Sequence, residues 1–138
     1  MPTHRVFIDC DPGVDDCIAL MAALGSPADI ELLGIGVVAG NVPVATCAKN
    51  AAAVLALAGR PDLPLHVGCP RPMVVLPEFA EHIHGPSGLG NAQLPEGEIG
   101  AQPHALDALC ELLGNAAAAS ITLVLTGPMT NLAVALVR

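Results

Sequence analysis

The sequence has few aromatic and few basic residues. Trp and Tyr do not occur, and Phe7 and Phe79 are the only phenylalanines. Thirteen acidic residues stand against five Lys and Arg, so the formal net charge is −8. Proteins that bind nucleic acid need basic patches and often use aromatic side chains as stacking platforms. The composition therefore excludes a nucleic-acid partner and suits a protein that binds cations or neutral solutes.

Paired cysteine motifs and long apolar runs are also missing. The five cysteines are odd in number, widely spaced and without a C-x-x-C pair, which predicts reduced, mostly buried thiols. Uninterrupted apolar runs such as "CIALMAAL" are too short to span a bilayer. The first apolar run ends at Asp9, so no signal peptide is expected. These features predict a cytoplasmic protein with no membrane partner.

Short apolar runs alternate with helical patterns along the chain. This order predicts one α/β domain over residues 1–138, with an open, mostly parallel, Rossmann-like sheet covered by helices on both faces. A long loop over 69–103 has six prolines, which is typical of a lid or binding loop. Strands are predicted at 5–8, 30–38, 63–68 and 120–125, and helices at 15–24, 43–59, 104–114 and from 129 to 138.

Polar segments follow each predicted strand. They read "DCDPGVDD", "AGN", the loop with "HIHG", and "TGPMTN". In open parallel sheets, ligands bind beyond the carboxyl ends of the strands, where the strand order reverses. We therefore expect a ligand site at this edge, with strands 1 and 4 flanking the reversal point.

The first of these segments holds four aspartates within eight residues. Asp15 and Asp16 open a helix, where acidic residues are stabilised by about 0.3–1 kcal/mol each. Helix capping does not account for Asp9 and Asp11, which precede the turn at Pro12. The repulsion between crowded carboxylates is typically offset by a bound cation, so the cluster predicts a metal site.

Two known acidic motifs can be compared with this segment. An EF-hand would need Glu at the twelfth loop position, where this chain has Leu20, and a strand precedes the motif; this alternative is excluded. Haloacid-dehalogenase-type phosphatases also place D-x-D after the first strand. Gly13 stands where that family usually has Thr or Val, although Thr126 could mimic its second motif. The phosphatase remains an alternative.

The order "DCDPGVDD", "VVAGN", "HIHGPSGLG", "LVLTGPMTN" resembles the inosine-uridine-preferring nucleoside hydrolase family over nearly all 138 residues. The pattern D-x-D-P-G-x-D-D is highly specific, and the other segments gain weight from their order. The resemblance implies the nucleoside hydrolase fold and Ca²⁺-dependent hydrolysis of the N-glycosidic bond of ribonucleosides. It implies that Asp11 is both a calcium ligand and the general base, with Asp16 and the backbone carbonyl of Thr126 as further ligands.

The resemblance also implies residues that contact the nucleoside. Asp15 and Asn41 match positions that hold ribose hydroxyls, and His84 matches a histidine near the base pocket. Asp9 matches a supporting position that could orient Asp11 or the water network. Ordinary roles stay open for Asn41, which could cap the helix near Pro43, and for His84, which could be a solvated loop histidine.

Members of the family are considerably longer than 138 residues. We expect this chain to correspond to their N-terminal portion, with the C-terminal part absent, either as a truncated product or as a chain that others complete. A non-catalytic remnant of the fold is therefore a second hypothesis. An uncovered edge at strand 4 and the apolar helix after it predict a homo-oligomer. Asn131 is expected only to cap or hold a turn.

Overall fold

The computed structural model describes residues 4–138. It contains a single sheet with the order β3-β2-β1-β4, in which every pairing is parallel. The predicted α/β architecture is confirmed. The strands are β1 His4–Cys10, β2 Ile30–Val37, β3 Leu65–Val67 and β4 Thr122–Leu125; the helices are α1 Val14–Leu24, α2 Val44–Leu57, α3 Glu81–His84, α4 Ala105–Gly114 and α5 Thr130–Leu136.

The sheet has helices on both faces, as predicted. One face packs against α1 and α2 and forms the main core, in which each fully buried Val, Leu or Ile contributes roughly 1.5–3 kcal/mol. On the other face Phe7 stacks on His66 with 6.2 Å between ring centroids. Helix α5 also lies on this face, where the side chain of its Asn131 donates a hydrogen bond to Asp9. The strand residues of the main core are Val6, Ile8, Cys10, Ile35, Val37 and Leu65.

Three differences between the observed and the predicted elements are informative. β1 continues to Cys10, because Asp9 and Cys10 keep their pairing with Gly36 and Val37 even though the apolar run has ended. The loop over 69–103 contains the helical turn α3. This turn has only four residues between segments that contain Pro and Gly, and a pattern this short does not predict a helix. The last helix ends at Leu136, two residues before the predicted end.

No helix within residues 4–138 has the length and apolar character needed to cross a membrane. All five cysteines are free, and Cys10, Cys17 and Cys47 are buried, as predicted. In the described chain β4 pairs with β1 alone, so its other edge is open.

Candidate active site

The carboxyl ends of three neighbouring strands bring the predicted site residues together. β1 is the central strand of this group and leads into Asp11, while β2 leads into Asn41 and β4 into Thr126. Because parallel strands end at the same edge, residues far apart in sequence meet there. The predicted edge is therefore the place where the polar residues gather.

Asp11 is held by Asn41. Its Oδ2 accepts a 2.7 Å hydrogen bond from the Asn41 backbone amide, and its carbonyl accepts one of 2.9 Å from Asn41 Nδ2. Asn41 does not cap α2: the residue before that helix is Pro43, and no side chain caps its first turn. The capping alternative for Asn41 is therefore wrong, and its side chain instead joins the end of β2 to the acidic turn.

Asp16 is the second buried carboxylate of the turn. Its Oδ2 accepts hydrogen bonds from Asn41 Nδ2 at 3.4 Å and from the Gly13 amide at 3.5 Å, and its Oδ1 accepts one from the Thr126 hydroxyl. The hydroxyl contact was not predicted, since only the Thr126 carbonyl was considered. A link between residues 110 positions apart leaves no local signal in the sequence.

Asp15 and His84 lie on the outer side of the same turn. Asp15 is exposed in the first turn of α1, where it can contact a solute. His84, the last residue of α3, is half-buried, and its Nδ1 accepts a 3.4 Å hydrogen bond from the Val14 amide. His84 is therefore attached to the acidic turn, which contradicts the alternative of a freely solvated histidine.

Asp9 points to the opposite face of β1 from Cys10 and is buried there with Asn131. Asn131 Nδ2 donates to Asp9 Oδ1 at 2.9 Å and to the Val37 carbonyl at 3.2 Å, while its Oδ1 accepts from the Cys69 amide at 2.8 Å. Asn131 is fully buried. The expectation of a minor turn role for Asn131 is wrong, since it ties together the ends of three strands.

Two glycines leave the space that the Asp11 carboxylate occupies. A Cβ atom at Gly40 would lie 2.0 Å from Asp11 Oδ2, and one at Gly127 would lie 2.7 Å from Oδ1. Contacts this short do not occur, so any side chain at either position would displace the carboxylate or the backbone. The position of the Asp11 carboxylate therefore requires glycine at both positions as well as the hydrogen bonds from Asn41.

The electrostatics of the cluster favour a cation. Burial raises the pKa of Asp11 to about 6, and the charge of Asp16 adds to the rise, while the hydrogen bond from Asn41 opposes it. Burial also raises the pKa of Asp9 to about 6, although the hydrogen bond from Asn131 lowers it. Ion pairs in the described chain involve other acidic residues: Glu31, Asp62 and Asp107.

The donor atoms at the cluster are hard oxygens. Within residues 4–138 no three His, Cys, Asp or Glu side chains lie close enough to hold a metal ion together. A cation at the cluster would therefore have two carboxylate ligands, Asp11 and Asp16, and an oxygen of Thr126 as a third ligand. Ca²⁺ and Mg²⁺ prefer such ligands and complete their shells with water or substrate oxygens. Burial raises the pKa of Cys17 to about 11 and of Cys47 to about 12, so these nearby thiols stay protonated at neutral pH in the metal-free chain.

A separate cavity of about 460 Å³ lies between α4 and the amino ends of the strands. Phe7, His66, Pro103 and Ile121 line it, and none of the acidic cluster does. The acidic cluster therefore lies outside this cavity, at the carboxyl edge of the sheet.

Comparison with known proteins gives a consistent result. The family described as "Inosine-uridine preferring nucleoside hydrolase" matches residues 6–138. The chain is 39% identical to the inosine-uridine preferring nucleoside hydrolase of Crithidia fasciculata and 39% identical to the pyrimidine-specific ribonucleoside hydrolase RihA of Photobacterium profundum; the matches cover 95% and 97% of this chain. A purine-preferring ribonucleoside hydrolase from Gardnerella vaginalis superposes with a TM-score of 0.87 over 96% of the chain, at 33% identity. The chain spans 42–43% of the length of these relatives.

Proposed function

Because this chain belongs to the inosine-uridine preferring nucleoside hydrolase family, we propose that it takes part in hydrolysis of the N-glycosidic bond of ribonucleosides, with Asp11 as general base. The observation that supports this most directly is the buried Asp11 carboxylate, which the backbone amide of Asn41 holds at the carboxyl edge of the sheet. Glycine at positions 40 and 127 leaves the space that this carboxylate occupies. Asp11 thus has the fixed position that a general base needs to reach an attacking water.

The family match also decides against the phosphatase alternative. In a dehalogenase-type enzyme the first aspartate of D-x-D attacks the phosphate, so Asp9 would have to reach the substrate. Asp9 is 2% exposed and is engaged by Asn131 on the far face of β1. A nucleophile in that position could not meet a phosphate ester.

We assign the cation of the site as Ca²⁺, held by Asp11, Asp16 and an oxygen of Thr126. Two buried carboxylates of the same charge support this assignment, because a divalent cation would offset their repulsion. When bound, the cation lowers the pKa of a coordinated water and compensates the acidic charge. The donor set consists of oxygen alone, which favours Ca²⁺ over softer metals.

The ribose would be held by Asp15 and Asn41. Asn41 Nδ2 already donates to the Asp11 carbonyl and to Asp16, so both of its hydrogens are used. Its Oδ1 is left to accept a hydrogen bond from a ribose hydroxyl. The exposed Asp15 carboxylate can accept a second one, which would orient the sugar above Asp11.

The bond-breaking step follows from these positions. Asp11 takes a proton from water as the water oxygen attacks C1′, and the bond from C1′ to the base nitrogen breaks. The sugar develops oxocarbenium character, which neighbouring carboxylates stabilise. The Nδ1 of His84 accepts from the Val14 amide, so in a neutral ring Nε2 carries the hydrogen. Nε2 can therefore donate a hydrogen bond to the leaving base, and the base takes its proton from water.

The function is tested by base release from inosine and uridine, with and without Ca²⁺. At a Ca²⁺ concentration of about one hundred times Kd, we expect the folded state to gain about 2.7 kcal/mol, seen as a rise in melting temperature, together with release of free base. A calcium-dependent rise without base release would favour the non-catalytic remnant. An unchanged melting curve at millimolar Ca²⁺ would contradict the metal assignment.

We also propose that the chain is cytoplasmic, where its five free thiols would stay reduced, and that it self-associates. The open edge of β4 can pair with a strand of another copy. Leu136 and Val137, at the end of α5, are each 76% exposed and add apolar surface. Light scattering should therefore detect a dimer or larger assembly, and Leu136→Glu should shift it toward monomer. A parent chain that is monomeric at high concentration would overturn this expectation.

A further inference from the structure

A buried amide in α2 contacts both the acidic turn and the long loop. Asn50 is 5% exposed and is followed by three buried alanines. Its Nδ2 donates to the Pro12 carbonyl at 2.9 Å and to the Ser87 carbonyl at 2.8 Å. Both amide hydrogens are therefore used, one on each segment.

The two carbonyls belong to segments with different tasks. Pro12 follows Asp11 in the acidic turn, and Ser87 lies three residues beyond His84 in the loop. The residue after Ser87 is Gly88, which has a φ of +78°, and a Cβ atom there would lie 2.8 Å from Asn50 Nδ2. The loop backbone can approach Asn50 this closely only with glycine at that position.

Helix α3 is held in place by hydrogen bonds to the segments before and after it rather than by hydrogen bonds within it. Before it, the Ala80 amide donates to the Asn41 carbonyl at 2.9 Å; after it, the Ser87 carbonyl is held by Asn50. A helix of four residues has too few internal hydrogen bonds to be stable alone. The place of His84 at the acidic turn therefore depends on these outside contacts.

We propose that Asn50 is a positioning residue that fixes His84 beside the acidic turn by joining the Pro12 and Ser87 carbonyls. The inference deepens the proposed function and rests on it only for the role of His84 toward the leaving base. Without the amide, both carbonyls lose a buried donor, and the segment 85–90 is free to separate from α2. His84 then loses its fixed distance to Val14.

The test uses Asn50→Asp, which keeps the shape of the side chain but removes both donors. Nitrogen NMR of the His84 ring reports whether Nδ1 accepts a hydrogen bond, and amide hydrogen exchange reports the order of residues 85–90. We expect the Nδ1 signal to move toward that of a solvated imidazole, and exchange of the Gly88 and Gly90 amides to accelerate at least tenfold. Exchange within α1 should not change. The exposed amide of Asn115 provides the matched control, Asn115→Asp.

A second variant, Gly88→Ala, approaches the same contact from the loop and keeps the Asn50 amide. It should give the same changes, so the proposal stays testable if Asn50→Asp does not fold. Unchanged His84 signals and exchange in the folded variants would overturn the proposal. Changed signals in a chain that releases no base would support the positioning role and contradict the proposed function alone. In a chain that does release base, kcat/KM should fall at least tenfold in both variants.

Discussion

Base release should fall by about 10²–10⁴-fold when Asp11 is replaced by Asn, the usual loss when a general base is removed. The asparagine has nearly the same shape, and its Oδ1 can still accept the hydrogen bond from the Asn41 amide that Asp11 Oδ2 accepts at 2.7 Å. The fold is therefore retained while the proton acceptor and one anionic ligand are lost. Steady-state assays of base release from inosine and uridine measure the effect.

The melting temperature of Asp11→Asn should distinguish it from a variant that loses activity because its fold is destabilised. The pKa of Asp11 is raised from 3.8 to about 6, so the folded chain binds this proton more tightly than the unfolded chain does. Rising pH between about 4 and 6 therefore lowers the stability of the metal-free chain on this account. At pH 7 without Ca²⁺, Asp11→Asn should melt at the parent temperature or higher, and its calcium-dependent rise should vanish.

Asp29→Asn is the matched control, because Asp29 is an exposed aspartate at the opposite edge of the sheet. It should leave base release and the calcium response unchanged. Turnover in Asp11→Asn within tenfold of the parent would show that another group accepts the proton. A calcium response of normal size would show that the carboxylate is not a ligand.

Replacing Asn131 by Ala should lower the free energy of unfolding by about 2–5 kcal/mol, since it leaves buried polar groups without partners. The Cys69 amide and Asp9 Oδ1 would both lose their contact, while the Val37 carbonyl keeps the Gly68 amide at 2.8 Å. Asp9 Oδ2 is already buried without a hydrogen-bond partner among residues 4–138. The carboxylate would then have none on either oxygen.

Urea unfolding monitored by circular dichroism measures this loss. Asn131→Asp should lower the free energy of unfolding further than Asn131→Ala, because a second carboxylate would lie where Nδ2 is now 2.9 Å from Asp9 Oδ1. The exposed Asn115→Ala should change stability by less than about 0.5 kcal/mol. A loss below about 1 kcal/mol in Asn131→Ala would mean that water or a shifted side chain replaces the lost contacts.

The sequence predicts the sheet and the composition of its edge because both follow from local patterns. Apolar runs mark the strands, and the polar segments after them must share one edge once the strands are parallel. Asp11, Asp16, Asn41 and Thr126 are accordingly brought together as expected. The roles of these residues in catalysis remain predictions that the experiments above address.

The contacts that the sequence does not reveal are long-range, and several of them are made by side-chain amides. Asn50 lies 37 and 38 residues from its two partners, and Asn131 lies 122 residues from Asp9. Asparagine in an alanine-rich helix or a turn is usually solvated or a cap, so its identity alone does not indicate burial. Only the folded backbone shows which carbonyls and amides need a partner.

The spacing of these contacts along the chain also sets an order of assembly. Asp11 and Asn41 are 30 residues apart, and their contact needs only the first two strands and the helix between them. Thr126 follows Asn41 by 85 residues, which ribosomes synthesise in roughly 4–17 s at about 5–20 residues per second. Parallel pairing between distant strands is also slow to form. During translation we therefore expect the Asp11–Asn41 contact to precede the Asp16–Thr126 contact by seconds, so that the nascent acidic turn spends this interval accessible to solvent ions.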